Sequence, residues 1–243
     1  MTDFGGLDEL VRGDRDHNCD GYGPDKVCVK VVSVADLPTR FGDFRIVAFW
    51  NDRDDKEHIA VVHGDIRDAD DVPTRLHSEC LTGDALGSLR CDCRDQLETA
   101  LRKLSAMDRG LLLYLRQEGR GIGLTNKIRA YALQDRGMDT VEANVALGFR
   151  DDERDYSIAA HMIKSLTVRS IQLMTNNPEK IDQLTRYGIR VSGRIVHAIP
   201  PNEHNRFYLQ TKVDRSGHWI DMSGKPHLPE QSDAVLVEGM EED

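Results

Sequence analysis

The stretch Asp95–Leu115, DQLETALRKLSAMDRGLLLYL, changes its hydrophobic period part-way along, and that change decides the fold class. From Asp95 to Met107 the apolar residues Leu97, Ala100, Leu101, Leu104 and Met107 recur at three- and four-residue spacing, the stripe of one helix face, ending near Gly110. Leu111–Leu115 is then continuously apolar, which suits a buried strand, although a short buried helix would look the same. Working outward, Val27–Val34 (VCVKVVSV), Phe44–Trp50 (FRIVAFW), Ile59–His63 (IAVVH) and Ile171–Met174 (IQLM) read as strands. β-Branched residues dominate most of them, and Gly, Asp or Pro punctuate their ends. Two more helices are predicted. Asn126–Gln134 places Ile128, Tyr131 and Ala132 on one face, with Gly137 as a C-cap. The other is capped by Asn177, starts at Pro178, carries Ile181 and Leu184 inside and stops before Gly188. The expectation is an α/β (mixed α+β) fold: one mixed β-sheet flanked by helices in a single domain over residues 27–223.

The 243 residues are long enough for a sizeable core, and 39% of them are hydrophobic. The net charge of −10 is concentrated at the ends. Residues 1–26 hold seven acids against three bases, and residues 229–243 hold six acids and no base, which leaves the rest near zero. Residues 1–26 are therefore read as an acidic, flexible extension and 224–243 as an acidic, disordered tail. The near-neutral bulk has no global field to repel an anionic ligand. No Lys/Arg-rich block points to nucleic acid as a partner. No apolar run approaches the ~20 residues of a membrane span, and the start MTDFGGLDELVRGD lacks a signal peptide's apolar stretch. A cytoplasmic protein without membrane contact is expected.

Three of the five cysteines crowd into one segment, Cys80, Cys91 and Cys93, with the spacing C-x10-C-x-C. In a chain with no secretory signal this reads as metal binding or catalysis before disulfides. Three thiolates with no fourth cysteine nearby suit a zinc ion that keeps one position for water, whose pKa the metal lowers towards neutrality. Two alternatives stand beside this: His77 as a fourth ligand closing a structural site, or cysteines that only pack. Cys19 and Cys28 are isolated and read as buried or tolerated thiols.

The order and spacing of the motifs resemble the GTP cyclohydrolase II family. They are RLHSECLTGDALGSLRCDC (75–93), RQEGRGIGLTNKIRAYALQDRGMDTVEAN (116–144), LGFRDDERDY (147–156), TNNPEK (175–180) and NEHNRFYLQTK (202–212), preceded by LPTRFGDF and HGDI. The resemblance runs from about Val34 to about His218. It implies a zinc-dependent enzyme that opens the guanine ring of GTP and releases formate and pyrophosphate, the first step of riboflavin biosynthesis. It implies zinc on Cys80, Cys91 and Cys93, and GTP contacts at Arg75, Leu76, His77, Ser78, Glu79, Gln96, Glu118, Gly119, Arg120, Thr140, Thr175 and Lys180. Asp152 matches the family's proton acceptor, Arg154 the arginine proposed as nucleophile on phosphorus, and Tyr131 a tyrosine near the reacting base. Mg²⁺ accompanying the triphosphate and a homodimer are also implied. Arg94 stands where the family often has Gly.

The residues make chemical sense of this resemblance. Guanine's N1 and N2 donors call for an acceptor, and Glu118 and Glu142 are the candidates. Arg120, Arg154 and Lys180 are plausible phosphate clamps, and Gly119, Gly121 and Gly123 permit close backbone approach. RQEGRGIG lacks the GK[ST] of a Walker loop and is weak alone. An arginine that stays protonated has no free lone pair, so a clamping role for Arg154 is chemically easier than attack. Two other readings stay open: a family member that stops at a formylated intermediate or serves a specialised pathway, and a non-catalytic zinc-containing GTP-binding module.

Overall fold

The structure, a computed structural model, describes residues 6–13, 21–197, 199–220 and 222. In chain order its strands are β1 (Val29–Thr39), β2 (Gly42–Asn51), β3 (Ile59–His63), β4 (Val72–Ser78), β5 (Gly110–Leu115), β6 (Ser170–Met174) and β7 (Arg190–Ile195). They form one sheet in the order β1-β2-β3-β5-β4-β6-β7. The β1–β2, β2–β3 and β3–β5 pairs are antiparallel, whereas β5–β4, β4–β6 and β6–β7 are parallel. The expected mixed sheet with flanking helices is what is found.

The Leu-rich run is strand β5, at the centre of the sheet, and it is apolar throughout because both faces of the sheet are covered. Leu112 belongs to one core with Phe44, Val61, Ala100, Leu104 and Met174. Leu111, Leu113 and Leu115 face a larger one with Val47, Leu76, Ala159, Met162 and Leu173. The helix expected from Asp95 is α2 (Cys93–Ser105), the crossover that returns the chain from β4 to the parallel β5, with Ala100 and Leu104 fully buried. Burying a Leu of this kind contributes about 1.5–3 kcal/mol.

The remaining helices after α2 are α3 (Gly123–Gln134), α4 (Thr140–Ala146), α5 (Ser157–Ser165), α6 (Pro178–Arg186) and α7 (Arg206–Ser216). In α6 the Asn177 side chain accepts from Glu179 N at 3.0 Å, Pro178 opens the helix, and Gly188 beyond its end has φ +73°.

Within the expected N-terminal extension, Leu7–Gly13 forms the short helix α1. Leu7 is buried in the larger core with Leu10 and Val11 beside it, an i, i+3, i+4 stripe within a segment whose composition is dominated by Asp and Gly. Asp8 and Glu9 pair with Arg45 and Arg67. Residues 1–5, 14–20 and the expected tail 224–243 lie outside the described residues.

Candidate active site

The parallel strands deliver their C-terminal ends to one place, where open α/β sheets form ligand crevices. β4 runs into Glu79 and Cys80, β5 into Gln117 and Glu118, and β6 into Thr175. Two adjoining cavities lie there. The larger, about 420 Å³, is lined by Ser78, Glu79, Cys80, Cys91, Cys93, Glu118, Lys127, Tyr131, Thr140 and Arg154, among others. The smaller, about 100 Å³, is lined by Arg75, His77, Gln96, Thr175, Lys180 and Lys212. Ser78, Cys93, Arg120, Arg154 and Tyr208 line both.

On the first side, the three sulfurs of Cys80, Cys91 and Cys93 lie within 4.8 Å of one another, and Cys80 Sγ is 3.7 Å from Cys91 Sγ. Two thiolates on a tetrahedral zinc with ~2.3 Å bonds stand ~3.8 Å apart, so the donor set fits that ion. All three cysteines line the large cavity. Gly83 makes the cluster possible. A Cβ there would sit 2.8 Å from Cys91 Sγ and 3.0 Å from Cys80 Sγ.

His77 is not part of this set. Its Nε2 faces Asp84 at 3.0 and 3.1 Å, and its ring stacks on Tyr114. Asp84 also accepts from Tyr114 Oη at 2.8 Å and from Cys80 N at 3.0 Å, so this buried carboxylate fixes the backbone of the first cysteine. Arg94 donates to the Asp84 and Ala85 carbonyls at the end of the turn Leu81–Ala85. Burial keeps His77 below its ordinary pKa and therefore neutral.

Above the sulfurs, the Lys127 ammonium lies 3.0 Å from Cys80 Sγ and 2.7 Å from Glu118 Oε1. Hydrogen bonds from the neighbouring thiols, with Lys127 adding to them, hold Cys80 far below the usual thiol range, while the Cys80 sulfur pushes Cys91 up to about 11. Tyr131 Oη lies 3.2 Å from Thr82 Oγ1, and burial raises its pKa, so the phenol keeps its proton at neutral pH. The Arg90 guanidinium lies over the Tyr131 ring at 4.8 Å.

On the second side, Arg154 grips Asp152 through Nε at 2.8 Å and Nη2, and its Nη1 reaches Ser78 Oγ at 3.5 Å. Burial opposes its charge, yet Tyr156 and Asp152 carry the guanidinium above its ordinary value. Asp152 is in turn held below the usual carboxylate range despite its own burial. Lys180, fully desolvated next to Arg75 and Arg154, is pushed well below its ordinary value and donates to the Leu76 carbonyl at 2.7 Å. Burial lowers Arg75 to about 10; it donates to Met174 O and Gln96 Oε1. Thr175 Oγ1 accepts from Asn177 N, at the entry to α6.

Arg120 reaches this chamber from a strained turn. It has φ +59°, in the left-handed region that non-glycine residues avoid, and it donates to Asp151 Oδ1 at 2.5 Å. Glu153 N bonds the Arg120 carbonyl at 3.0 Å, and a Cβ on Gly121 would sit 3.0 Å from the Glu153 backbone. This close approach brings Arg120 and the segment Asp152–Arg154 to the same chamber.

Residues 29–196 match the family described as GTP cyclohydrolase II. The chain belongs to the GTP cyclohydrolase II family. A curated "GTP cyclohydrolase-2" from Picrophilus torridus is 55% identical over 78% of this chain and 98% of its own length. Those of Histophilus somni and Haemophilus influenzae are each 52% identical, over 82% and 79% of this chain and 93% and 89% of their own. A solved structure of a two-domain 3,4-dihydroxy-2-butanone 4-phosphate synthase from A. baumannii aligns at a TM-score of 0.35 and 14% identity, over 69% of this chain and 38% of that one.

The geometry redistributes some of the residues that the family resemblance brings forward. Glu142 is exposed, outside both cavity linings, and forms the reciprocal cap of α4: its Oε2 accepts from Asp139 N at 2.9 Å, and Asp139 Oδ1 accepts from Glu142 N at 2.8 Å. In this structure its carboxylate is thus engaged in capping its own helix. Glu118 lines the large cavity, but its carboxylate is taken by Lys127, Leu81 N and Gly119 N. The Leu76 side chain is in the core, so only its backbone meets the site. Lys127, Lys212 and Tyr208 line the cavities and were not singled out from the sequence, although each lies inside a motif quoted for the resemblance. The signal was there in Lys127: a lysine four residues before Tyr131 shares its helix face.

Proposed function

We propose that the chain hydrolyses GTP at C8, releasing formate and pyrophosphate and giving 2,5-diamino-6-(5-phospho-D-ribosylamino)pyrimidin-4(3H)-one, the first step of riboflavin biosynthesis. One observation carries the reading: a three-thiol cluster open to a cavity of about 420 Å³ that adjoins a chamber walled by Arg75, Arg120, Arg154, Lys180 and Lys212. A purine with a polyanionic tail needs both halves, a metal beside the base and cations at the tail.

Cys80, Cys91 and Cys93 would hold zinc, which supplies a water nucleophile at neutral pH and polarises the formamide carbonyl. Tyr131, protonated and on the cavity wall, donates a proton to the imidazole nitrogen as C8 is attacked. Glu79, Ser78, Gly119 and Thr140 line the same cavity and surround the nucleoside. Arg75, Lys180 and Arg120, with His77, Gln96 and Thr175 nearby, receive the phosphates together with Mg²⁺. Asp152 orients Arg154 by accepting from its Nε and Nη2, and Arg154 stabilises charge on the departing pyrophosphate as a clamp. Its raised pKa leaves no lone pair for attack on phosphorus.

The proposal includes a homodimer, which the exposed Leu86, Leu89, Val145 and Phe207 favour, and a cytoplasmic setting. Among the described residues no helix is long and apolar enough to cross a membrane. The test is incubation of zinc-loaded protein with GTP and Mg²⁺, following formate, pyrophosphate and the pyrimidine together. Equal release of all three is expected. Pyrophosphate without formate would reduce the reaction to a truncated one, and bound but unchanged GTP would overturn catalysis.

A further inference from the structure

Lys127 is a buried charged group to which the proposed chemistry gives no task. It lies on α3, is 8% exposed, and its ammonium stands between a sulfur of the thiol cluster and the Glu118 carboxylate. Lysines are almost never so buried unless paired. Glu118 is one such partner, and it is also held from two other directions by Leu81 N at 2.7 Å and Gly119 N at 2.8 Å. These contacts fix the carboxylate, and the carboxylate aims the ammonium at Cys80 Sγ.

The reason for such an arrangement is electrostatic. Three thiolates carry one negative charge more than a divalent ion cancels. Surplus sulfur charge weakens the pull of the metal on a bound water or carbonyl, and it raises the cost of burying the cluster. A cation hydrogen-bonded to one thiolate draws density away from the metal and offsets that surplus at the sulfur it touches. A compact ammonium in a dry wall does this without offering a lone pair to the metal while it is charged.

We infer that Lys127, held by Glu118, is a positioning and charge-balancing residue for the Cys80 thiolate, one that sets how strongly a metal on Cys80, Cys91 and Cys93 polarises its ligands. The inference rests on the metal-site reading above, and the two are separable in one experiment. Cobalt(II) is bound to the metal-depleted wild-type protein, and its thiolate-to-metal charge-transfer bands are recorded, followed by those of Lys127→Met, Lys127→Arg and Glu118→Gln.

A thiolate relieved of its hydrogen bond gives up an electron more easily, so the bands of Lys127→Met move to lower energy, while those of Lys127→Arg stay near wild type. With zinc restored, Lys127→Met loses about 10- to 100-fold in kcat, the usual scale for groups that support a metal ligand, with KM for GTP within a few-fold. Glu118→Gln, which loosens the aim of Lys127, falls between the two. The double variant Lys127→Met/Glu118→Gln, which removes both buried charges, replaces the single one if that does not fold. Absence of charge-transfer bands in the wild-type protein would defeat the metal-site reading itself. Bands present and unmoved in folded Lys127→Met protein would overturn the role given to Lys127 alone.

Discussion

Around Cys80 the charged side chains are held by hydrogen bonds: Lys127 meets both the sulfur and Glu118, and Asp84 is satisfied by His77, Tyr114 and the Cys80 amide. Around Lys180 the balance is different. Arg154, Arg120 and Lys212 each have a carboxylate, in Asp152, Asp151 and Asp92. Arg75 and Lys180 make no ion pair among the described residues and donate only to carbonyl and amide oxygens. In one half of the cleft a single ammonium, Lys127, faces a thiol cluster and a carboxylate, and the other half keeps two basic side chains without a carboxylate. The difference teaches what each half awaits. A rigid cluster of sulfur donors suits a resident cation, whereas desolvated basic side chains without carboxylates suit a polyanion that arrives and leaves with each turnover.

This contrast can be broken from either side. Cys91→Ser has the largest expected effect: loss of bound metal and of formate release beyond the 10- to 100-fold typical of groups that merely support a ligand, read by metal analysis and formate assay. A full metal complement with normal turnover would refute the assignment. Arg154→Ala comes next, with turnover lowered on the order of 10³-fold, the lower end for a transition-state arginine. Mass spectrometry of the wild-type enzyme during turnover is expected to find no nucleotide covalently attached to Arg154, and an adduct there would replace the clamp with a nucleophile.

Lys180→Met is expected to raise KM for GTP roughly 10- to 100-fold, the worth of a charge-assisted hydrogen bond. Lys180 also links binding to protons. Its folded pKa is depressed by burial beside Arg75 and Arg154, and a bound anion restores the proton. Pyrophosphate binding should therefore take up protons between the depressed value and the ordinary one near 10.5, measured by calorimetry in buffers of different ionisation enthalpy. Uptake should vanish in Lys180→Met. The sign for stability is the same: the unfolded chain binds more protons across that window, so the contribution of Lys180 to stability rises with pH there. Glu142→Gln is the smallest change. Gln preserves the capping box, so discrimination between GTP and ATP and the unfolding free energy should both be unchanged within about 0.5 kcal/mol. Relaxed discrimination would instead support the base-reading role for Glu142.

How far the sequence was legible follows the same divide. Helix α6 and strand β3 read out directly, because caps, periodicity and β-branched runs agree there, whereas the apolar run of β5 suited a strand or a short buried helix until its pairing with β3 and β4 decided it. Strand β4 did not, since VPTRLHS interleaves Pro73, Arg75 and His77 with its apolar residues. Those polar residues are buried because the strand end serves the cleft, and function erased the alternation that marks a strand. Helix α1 was hidden by the Asp- and Gly-rich composition around it. The three cysteines were visible by spacing. The face shared by Lys127 and Tyr131 was legible too, but the burial of Lys127 and Lys212 was not, because it depends on partners such as Glu118 and Asp92 that the fold brings near.

The division of labour between the two halves is tested most directly by titrating metal-depleted protein with GTP and Mg²⁺ by calorimetry, alongside the zinc-loaded form. The account predicts that depletion abolishes formate release while GTP affinity stays within a few-fold, because the basic side chains near Lys180 do not depend on the thiol cluster. Loss of GTP binding together with the metal, in protein that remains folded, would contradict it.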